Sequence, residues 1–116
     1  MVTPATGAVV LVPFPFSDLS QSKLRPAVVL ADAGRGDWIL YQITSKPYGD
    51  SRATEHADRD FRSGSLRVVS YARPGKLFTA NQTLMVAEIG QLYPAMLKRI
   101  TETVALLLRG ASAGSV

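Results

Sequence analysis

The apolar residues of this chain come in short, separated runs, and only the last of them has helical spacing. Gly7 opens Ala8-Val9-Val10-Leu11-Val12, a β-branched run too short for a helix and suited to a buried strand. Pro13-Phe14-Pro15-Phe16 ends or edges that strand, because proline has no N–H to give to a ladder. Ser17–Leu24 reads as a polar loop. Arg25 then introduces a second apolar strand, Pro26–Leu30, and a glycine-bearing turn over Asp32–Asp37 leads to a third, Trp38–Ile43.

Thr44–Arg52, with Pro47 and Gly49, reads as a loop, and Ala53–Gly64 is the most charged stretch of the chain. That stretch predicts a solvated connection with a short edge strand at most. Leu66–Tyr71 is strand-like, Lys76–Phe78 continues extended after the Arg73-Pro74-Gly75 break, and Leu84–Leu92 makes a further strand. Gly90 marks a bulge or a close approach of backbones. Pro94 then starts a helix over Ala95–Arg109, where Met96, Ile100, Val104 and Leu108 recur at i+4 as a core stripe and Gly110 provides a stop. About six short strands closed by one C-terminal helix predict a mainly β fold, a small curled barrel with helical trim. At 116 residues the chain is one domain, 1–116, with 1–6 and 111–116 expected as flexible ends.

Several chemistries are excluded at once. The chain has no cysteine, so disulfide scaffolds, thiolate zinc sites, iron–sulfur clusters and a cysteine nucleophile are out. One histidine, His56, excludes paired-histidine metal sites, and its polar surroundings predict a surface side chain. The longest apolar run, Ala8–Phe16, contains two prolines and falls short of the roughly 17–25 residues of a spanning helix. The start lacks a basic segment leading into an apolar one, so the expectation is a cytoplasmic protein with no membrane segment, metal or cofactor. The 13 lysines and arginines outnumber 9 acidic residues, for a net charge of +4, which favours a polyanionic partner without specifying one.

The basic and hydroxyl residues gather where strands meet loops. Lys23 and Arg25 stand at a strand entry, Thr44, Ser45 and Lys46 at a strand exit, and Ser70, Arg73 and Lys76 around another. If those ends share one rim, they form a site for the phosphates of a single strand, able to stabilise charge on a phosphorane. Each cation taken singly reads as a solvated strand end, and hydroxyls at strand exits commonly bond local backbone. Trp38 and Tyr41 read as sheet packing rather than base-stacking platforms. No phosphate loop, dinucleotide fingerprint or acidic metal cluster is present in the sequence.

Gly7–Phe16 followed by Lys23-Leu24-Arg25-Pro26-Ala27-Val28-Val29-Leu30 resembles the N-terminal signature of PemK/MazF-type toxins. Ile43-Thr44-Ser45 resembles that family's second block, and Ser70–Thr79 with Ile89-Gly90-Gln91-Leu92 its C-terminal blocks. The resemblance runs from about Gly7 to Leu108, and it rests on the order and spacing of the blocks. It implies an SH3-like barrel, a homodimer, a cognate antitoxin and sequence-selective cleavage of single-stranded RNA without metal. In that chemistry the 2′-hydroxyl attacks phosphorus, leaving a 2′,3′-cyclic phosphate and a 5′-hydroxyl. Carried over by position, Arg25 is the catalytic arginine and Thr44 its partner hydroxyl, with Gln21 and Lys23 as RNA contacts and Ser45 and Lys46 close to the scissile phosphate, and the rim residues Ser70, Arg73 and Lys76 complete the expected RNA-binding set. The sequence departs from the pattern at Ala72, where some members carry an acidic residue, and at Ala8, where aspartate is usual. The general base is left unassigned. Two other readings stay open on the same fold, a gyrase-poisoning binding toxin of the CcdB type and a non-catalytic nucleic-acid-binding barrel.

Overall fold

Pairing of the short apolar runs, rather than any single run, builds the molecule. A computed structural model describes residues 3–15, 22–44, 54–56, 58–64 and 70–110. The strands are β1 (Ala8–Pro15), β2 (Ser22–Gly34), β3 (Asp37–Thr44), β4 (Thr54–His56), β5 (Phe61–Gly64), β6 (Ser70–Asn81) and β7 (Ala87–Leu92), and the helix is α1 (Pro94–Leu108). Single 3-10 turns stand at Asp58–Asp60 and Gln82–Leu84. Among the described residues all pairings are antiparallel, in one sheet of seven strands ordered β4-β6-β3-β2-β1-β7-β5. Among the described residues the sheet is open at β4 and β5, so the expected barrel is an approximate description of a mostly β fold with one C-terminal helix.

Both faces of the central strands are covered, which explains why β1 and β2 read as continuous apolar runs instead of alternating ones. On one face Val9, Val28, Tyr41 and Ile43 pack with Phe61, Leu92 and the α1 residues Met96, Ile100 and Val104. On the other, Ala8, Val10, Val12, Ala27, Val29 and Leu40 pack with Ala80 and Met85. Tyr41 is fully buried, which bears out its reading as a packing residue. Gly7 joins three strands at the entry to β1: its N–H donates to the Val29 carbonyl at 2.8 Å and its own carbonyl accepts from Leu92 at 2.9 Å. Its φ of +89° is a conformation that glycine adopts without strain.

The structure departs from the sequence reading in several places, one being that Leu84 ends a 3-10 turn and the strand expected from it starts only at Ala87. β2 begins at Ser22 and runs to Gly34, so it is longer at both ends than expected. The charged stretch holds two edge strands, β4 and β5, because Phe61, 7% exposed, inserts into the core and carries its segment onto β7. The Arg73-Pro74-Gly75 break does not end a strand: β6 continues through it, with Arg73–Lys76 standing against Gln42 alone between the pairs Ile43↔Ala72 and Tyr41↔Leu77. Finally, Met96, Ile100 and Val104 are buried as expected, but Leu108 is 73% exposed, the last turn of α1 having run beyond the surface it covers. Gly90 behaves as predicted on both counts. β7 shifts register against β1 between Val9↔Gly90 and Val10↔Glu88, and a Cβ at Gly90 would lie 2.7 Å from the Phe61 ring. No helix among the described residues is long and apolar enough to cross a membrane.

Candidate active site

Arg25 owes its place to the residue that follows it. In β2, Leu11↔Pro26 and Val12↔Arg25 pair with β1, whereas the ladder to β3 gives out at Ala27↔Gln42. Pro26 has no N–H with which to extend that ladder, so beyond this point β2 is held from the β1 side. Continued two residues, the same register sets Arg25 level with Thr44. Side chains alternate between faces along a strand. Arg25 therefore belongs with Ala27 and Val29, and Thr44 with Gln42 and Leu40, on the face away from α1. Arg25 is exposed and Thr44 half-buried, at the end of an apolar cluster that fixes both strands.

The row continues across the sheet. Thr44 pairs with Tyr71 of β6, and Tyr71 with Glu55 of β4. Directly opposed residues of antiparallel strands share a face. Arg25, Thr44, Tyr71 and Glu55 thus form one register row over β2, β3, β6 and β4. Lys23 lies two positions from Arg25 on the same strand, opposite Phe14. Ser70, opposite His56, and Ala72, opposite both Ile43 and Thr54, are one step out of phase and belong to the face that holds Ile43. Arg73 and Lys76 fall in the bulge against Gln42, whose Oε1 is buried with no hydrogen-bond partner. Leaving such an acceptor unmet costs about 1–3 kcal/mol. Gln21, Ser45 and Lys46 lie outside the described residues.

Sequence reasoning singles out Arg25 and Thr44 and passes over Tyr71 and Glu55, which the register sets in the same row. The signal for Glu55 was a three-residue strand inside a charged stretch, too short for alternation to be recognisable. The position singled out for a missing acid, Ala72, is on the opposite face from Thr44.

Chemically, the row offers a planar guanidinium beside a hydroxyl donor. Arginine binds a phosphate through two parallel N–H···O bonds, and a neighbouring threonine can donate to a third oxygen. Among the described residues no three histidine, aspartate or glutamate side chains form a group able to hold a metal ion. A cleft of about 520 Å³, lined by Arg59, Asp60, Tyr93, Met96 and Arg99, opens beside β5 and the start of α1. It stands at the other edge of the sheet from β4 and is separate from the row.

Solved structures share this architecture. A chain of the MazE–MazF complex from Deinococcus radiodurans matches 97% of this chain over 100% of its own length, with a TM-score of 0.73 at 19% identity. MazF alone from the same organism matches 94% of this chain and 99% of its own, with a TM-score of 0.68 at 18% identity. The chain has the MazF fold. A mycobacterial endoribonuclease in complex with its cognate antitoxin matches 97% of this chain and 99% of its own, with a TM-score of 0.67 at 17% identity. At the level of sequence, no protein-family model and no curated protein matches. On the MazF fold the Arg25 row occupies the face of the sheet opposite the helix.

Proposed function

We propose that this protein is the toxin of a bacterial toxin–antitoxin pair, a cytoplasmic endoribonuclease that cuts single-stranded RNA at selected sequences without metal. What supports this reading is the MazF fold together with a β2–β3 register that, carried two residues past its last pair Ala27↔Gln42, brings Arg25 level with Thr44. The mechanism follows from the two side chains. Arg25 holds the scissile phosphate and stabilises the charge that accumulates on its oxygens as the phosphorane forms, and Thr44 donates a hydrogen bond to a non-bridging oxygen. The 2′-oxygen bonds to phosphorus, the P–O5′ bond breaks, and the products are a 2′,3′-cyclic phosphate and a 5′-hydroxyl end. Lys23, Arg73 and Lys76, with Gln21, Ser45 and Lys46, provide the RNA contacts that set sequence preference, and Ser70, on the other face by register, is left out of the set.

The partners of the proposed toxin are a second copy of the chain and a cognate antitoxin. Similar structures solved as complexes with MazE or with a cognate antitoxin support the latter. An antitoxin whose acidic segment lies over the Arg25 row would exclude RNA by competing for the same cations.

The test is incubation of the purified, antitoxin-free protein with a long single-stranded RNA in EDTA, followed by mapping of the new ends. Recurrent cleavage at a short motif leaving 5′-hydroxyl ends is expected. Folded protein that binds RNA in a salt-sensitive way and leaves no new ends would instead indicate a non-catalytic barrel. Folded protein that ignores RNA would move the reading to a binding toxin, for which the exposed Leu106 and Leu108 at the end of α1 offer a contact surface.

A further inference from the structure

Cleavage through the 2′-hydroxyl needs an acceptor for its proton, and neither residue at the heart of the row supplies one. A guanidinium keeps its protons and has no lone pair to accept another, and a threonine hydroxyl acts as a donor to the phosphate. We infer that Glu55 is the general base of the proposed reaction, an inference that rests on the ribonuclease reading above.

The argument is one of placement. Thr44↔Tyr71 and Tyr71↔Glu55 are direct register partners, so Glu55 falls on the same face of the sheet as Arg25 and Thr44. At about 4.7–4.9 Å per strand, Glu55 lies about 10 Å from Thr44 and about 14 Å from Arg25 along the row, measured between backbones. That span accommodates a phosphodiester between an arginine on one side and a carboxylate on the other. The competing ionisable groups at described positions are on the other face or further from Thr44 than Glu55 is. His56 pairs with Ser70 and is therefore on the opposite face. Asp32 and Asp37 stand at the far end of the β2–β3 hairpin, in the pairs Asp32↔Trp38 and Gly34↔Asp37. Glu88, opposite Val10, shares the face of Arg25 but stands on β7, three strands from Thr44 where Glu55 is two strands away, Asp58 and Asp60 form the turn before β5, and Glu102 is on α1. Asp18 and Asp50 lie outside the described residues.

Among the described residues β4 stands at the edge of the sheet and pairs with β6 alone. In the step itself, the Glu55 carboxylate takes the 2′-hydroxyl proton as the O2′–P bond forms. The electron pair of the breaking P–O5′ bond passes to O5′, which takes a proton from water, and Glu55 afterwards returns its proton to solvent. No metal or redox partner enters the balance.

The experiment compares wild type, Glu55→Gln, Glu55→Asp and His56→Gln in single-turnover cleavage of a short RNA carrying one cleavage site, from pH 4 to pH 8. Binding to the same oligonucleotide with a 2′-deoxy nucleotide at the cleaved position is measured alongside. A positioned general base contributes about 10²–10⁴-fold, so Glu55→Gln is expected to lose at least about 100-fold in rate while binding the non-cleavable strand as wild type does. Wild type is expected to gain rate with pH through an acid limb in the carboxylate range, about 4–6, and Glu55→Gln to lose that limb. On this face the other ionisable groups at described positions are Lys23 and Arg25 of β2, Tyr71 of β6 and two further carboxylates, Asp32 at the far end of β2 and Glu88 of β7, so it is the loss of the limb in Glu55→Gln that ties it to Glu55. Glu55→Asp is expected to retain the limb and part of the rate, and His56→Gln to keep both. Should Glu55→Gln fail to fold, the wild-type limb and the Glu55→Asp rate decide. Wild-type-like cleavage by Glu55→Gln, or a limb that persists in it or disappears with His56, overturns the assignment while leaving the ribonuclease intact. A wild type that cuts no RNA overturns both.

Discussion

A methyl group added at Gly90 would meet Phe61 and the β5 backbone at once. Its carbon would stand 2.7 and 2.8 Å from two ring atoms of Phe61 and 3.0 Å from the Ser63 carbonyl oxygen. Carbon atoms pack at about 3.5–4.0 Å, so the ring must retreat by most of an ångström. It has little room to do so, being buried at 7% exposure in the cluster with Leu92, Met96 and Ile100. Overpacking of this kind costs about 1–3 kcal/mol, and pressure from the ring and the carbonyl together places Gly90→Ala at the upper end, about 3 kcal/mol. With a urea m-value of about 2 kcal/mol/M, the unfolding midpoint falls by about 1.5 M. The cause is isolated by a double-mutant cycle. In a Phe61→Leu background, Gly90→Ala is expected to cost about 1 kcal/mol, a coupling of about 2 kcal/mol between contacting residues. Equal costs in the two backgrounds, or an unchanged midpoint in the single variant, would refute the reasoning. Because β5 and β7 lie across the sheet from β4 and β6, the folded fraction of Gly90→Ala should cleave RNA at the wild-type rate.

The two ends of α1 make a second contrast. Ile100→Ala, at a fully buried position, is expected to cost about 2–5 kcal/mol, whereas Leu108→Ala, at 73% exposure, stays within about 0.5 kcal/mol, both read by urea unfolding. At the site, Thr44→Val keeps the shape and removes the donor, so single-turnover cleavage should fall about 100-fold or more, with Thr44→Ser retaining most of the rate. Lys98→Ala should leave stability unchanged within about 0.5 kcal/mol, because its pairing with Glu102 at 4.0 Å is exposed on both sides.

Much of this molecule was legible in its residues, for identifiable reasons. β1 and β3 were found nearly to their ends because both carry apolar runs that two covered faces demand, and α1 because Pro94 and the Met96, Ile100, Val104 spacing leave little choice. Arg25 and Thr44 could be paired only through the order of the sequence blocks. The register that sets them level is a tertiary property, fixed by Val28↔Tyr41 and Ala27↔Gln42 further along the strands. β4 and β5 were illegible because three or four residues show no period, and a single buried ring, Phe61, decides the path of the segment. The β6 bulge was misread as a break for a related reason. Pro74 and Gly75 do punctuate the chain, but pairing on both sides of them holds the strand together. Leu108 shows the converse failure, since periodicity assigns a face to a helix but not the point at which its support ends.

The measurement that bears most directly on the central claim is single-turnover cleavage of a one-site RNA in EDTA by wild type and Arg25→Ala, both shown to be folded by matching unfolding midpoints. Arg25 is exposed at the end of its cluster, so its removal should leave the fold intact. The account predicts cleavage by wild type with a 5′-hydroxyl product and a loss of at least about 100-fold in the variant, the scale of removing one donor that stabilises transition-state charge. Cleavage by folded Arg25→Ala at the wild-type rate would contradict it, and would remove the Arg25–Thr44 row from the chemistry.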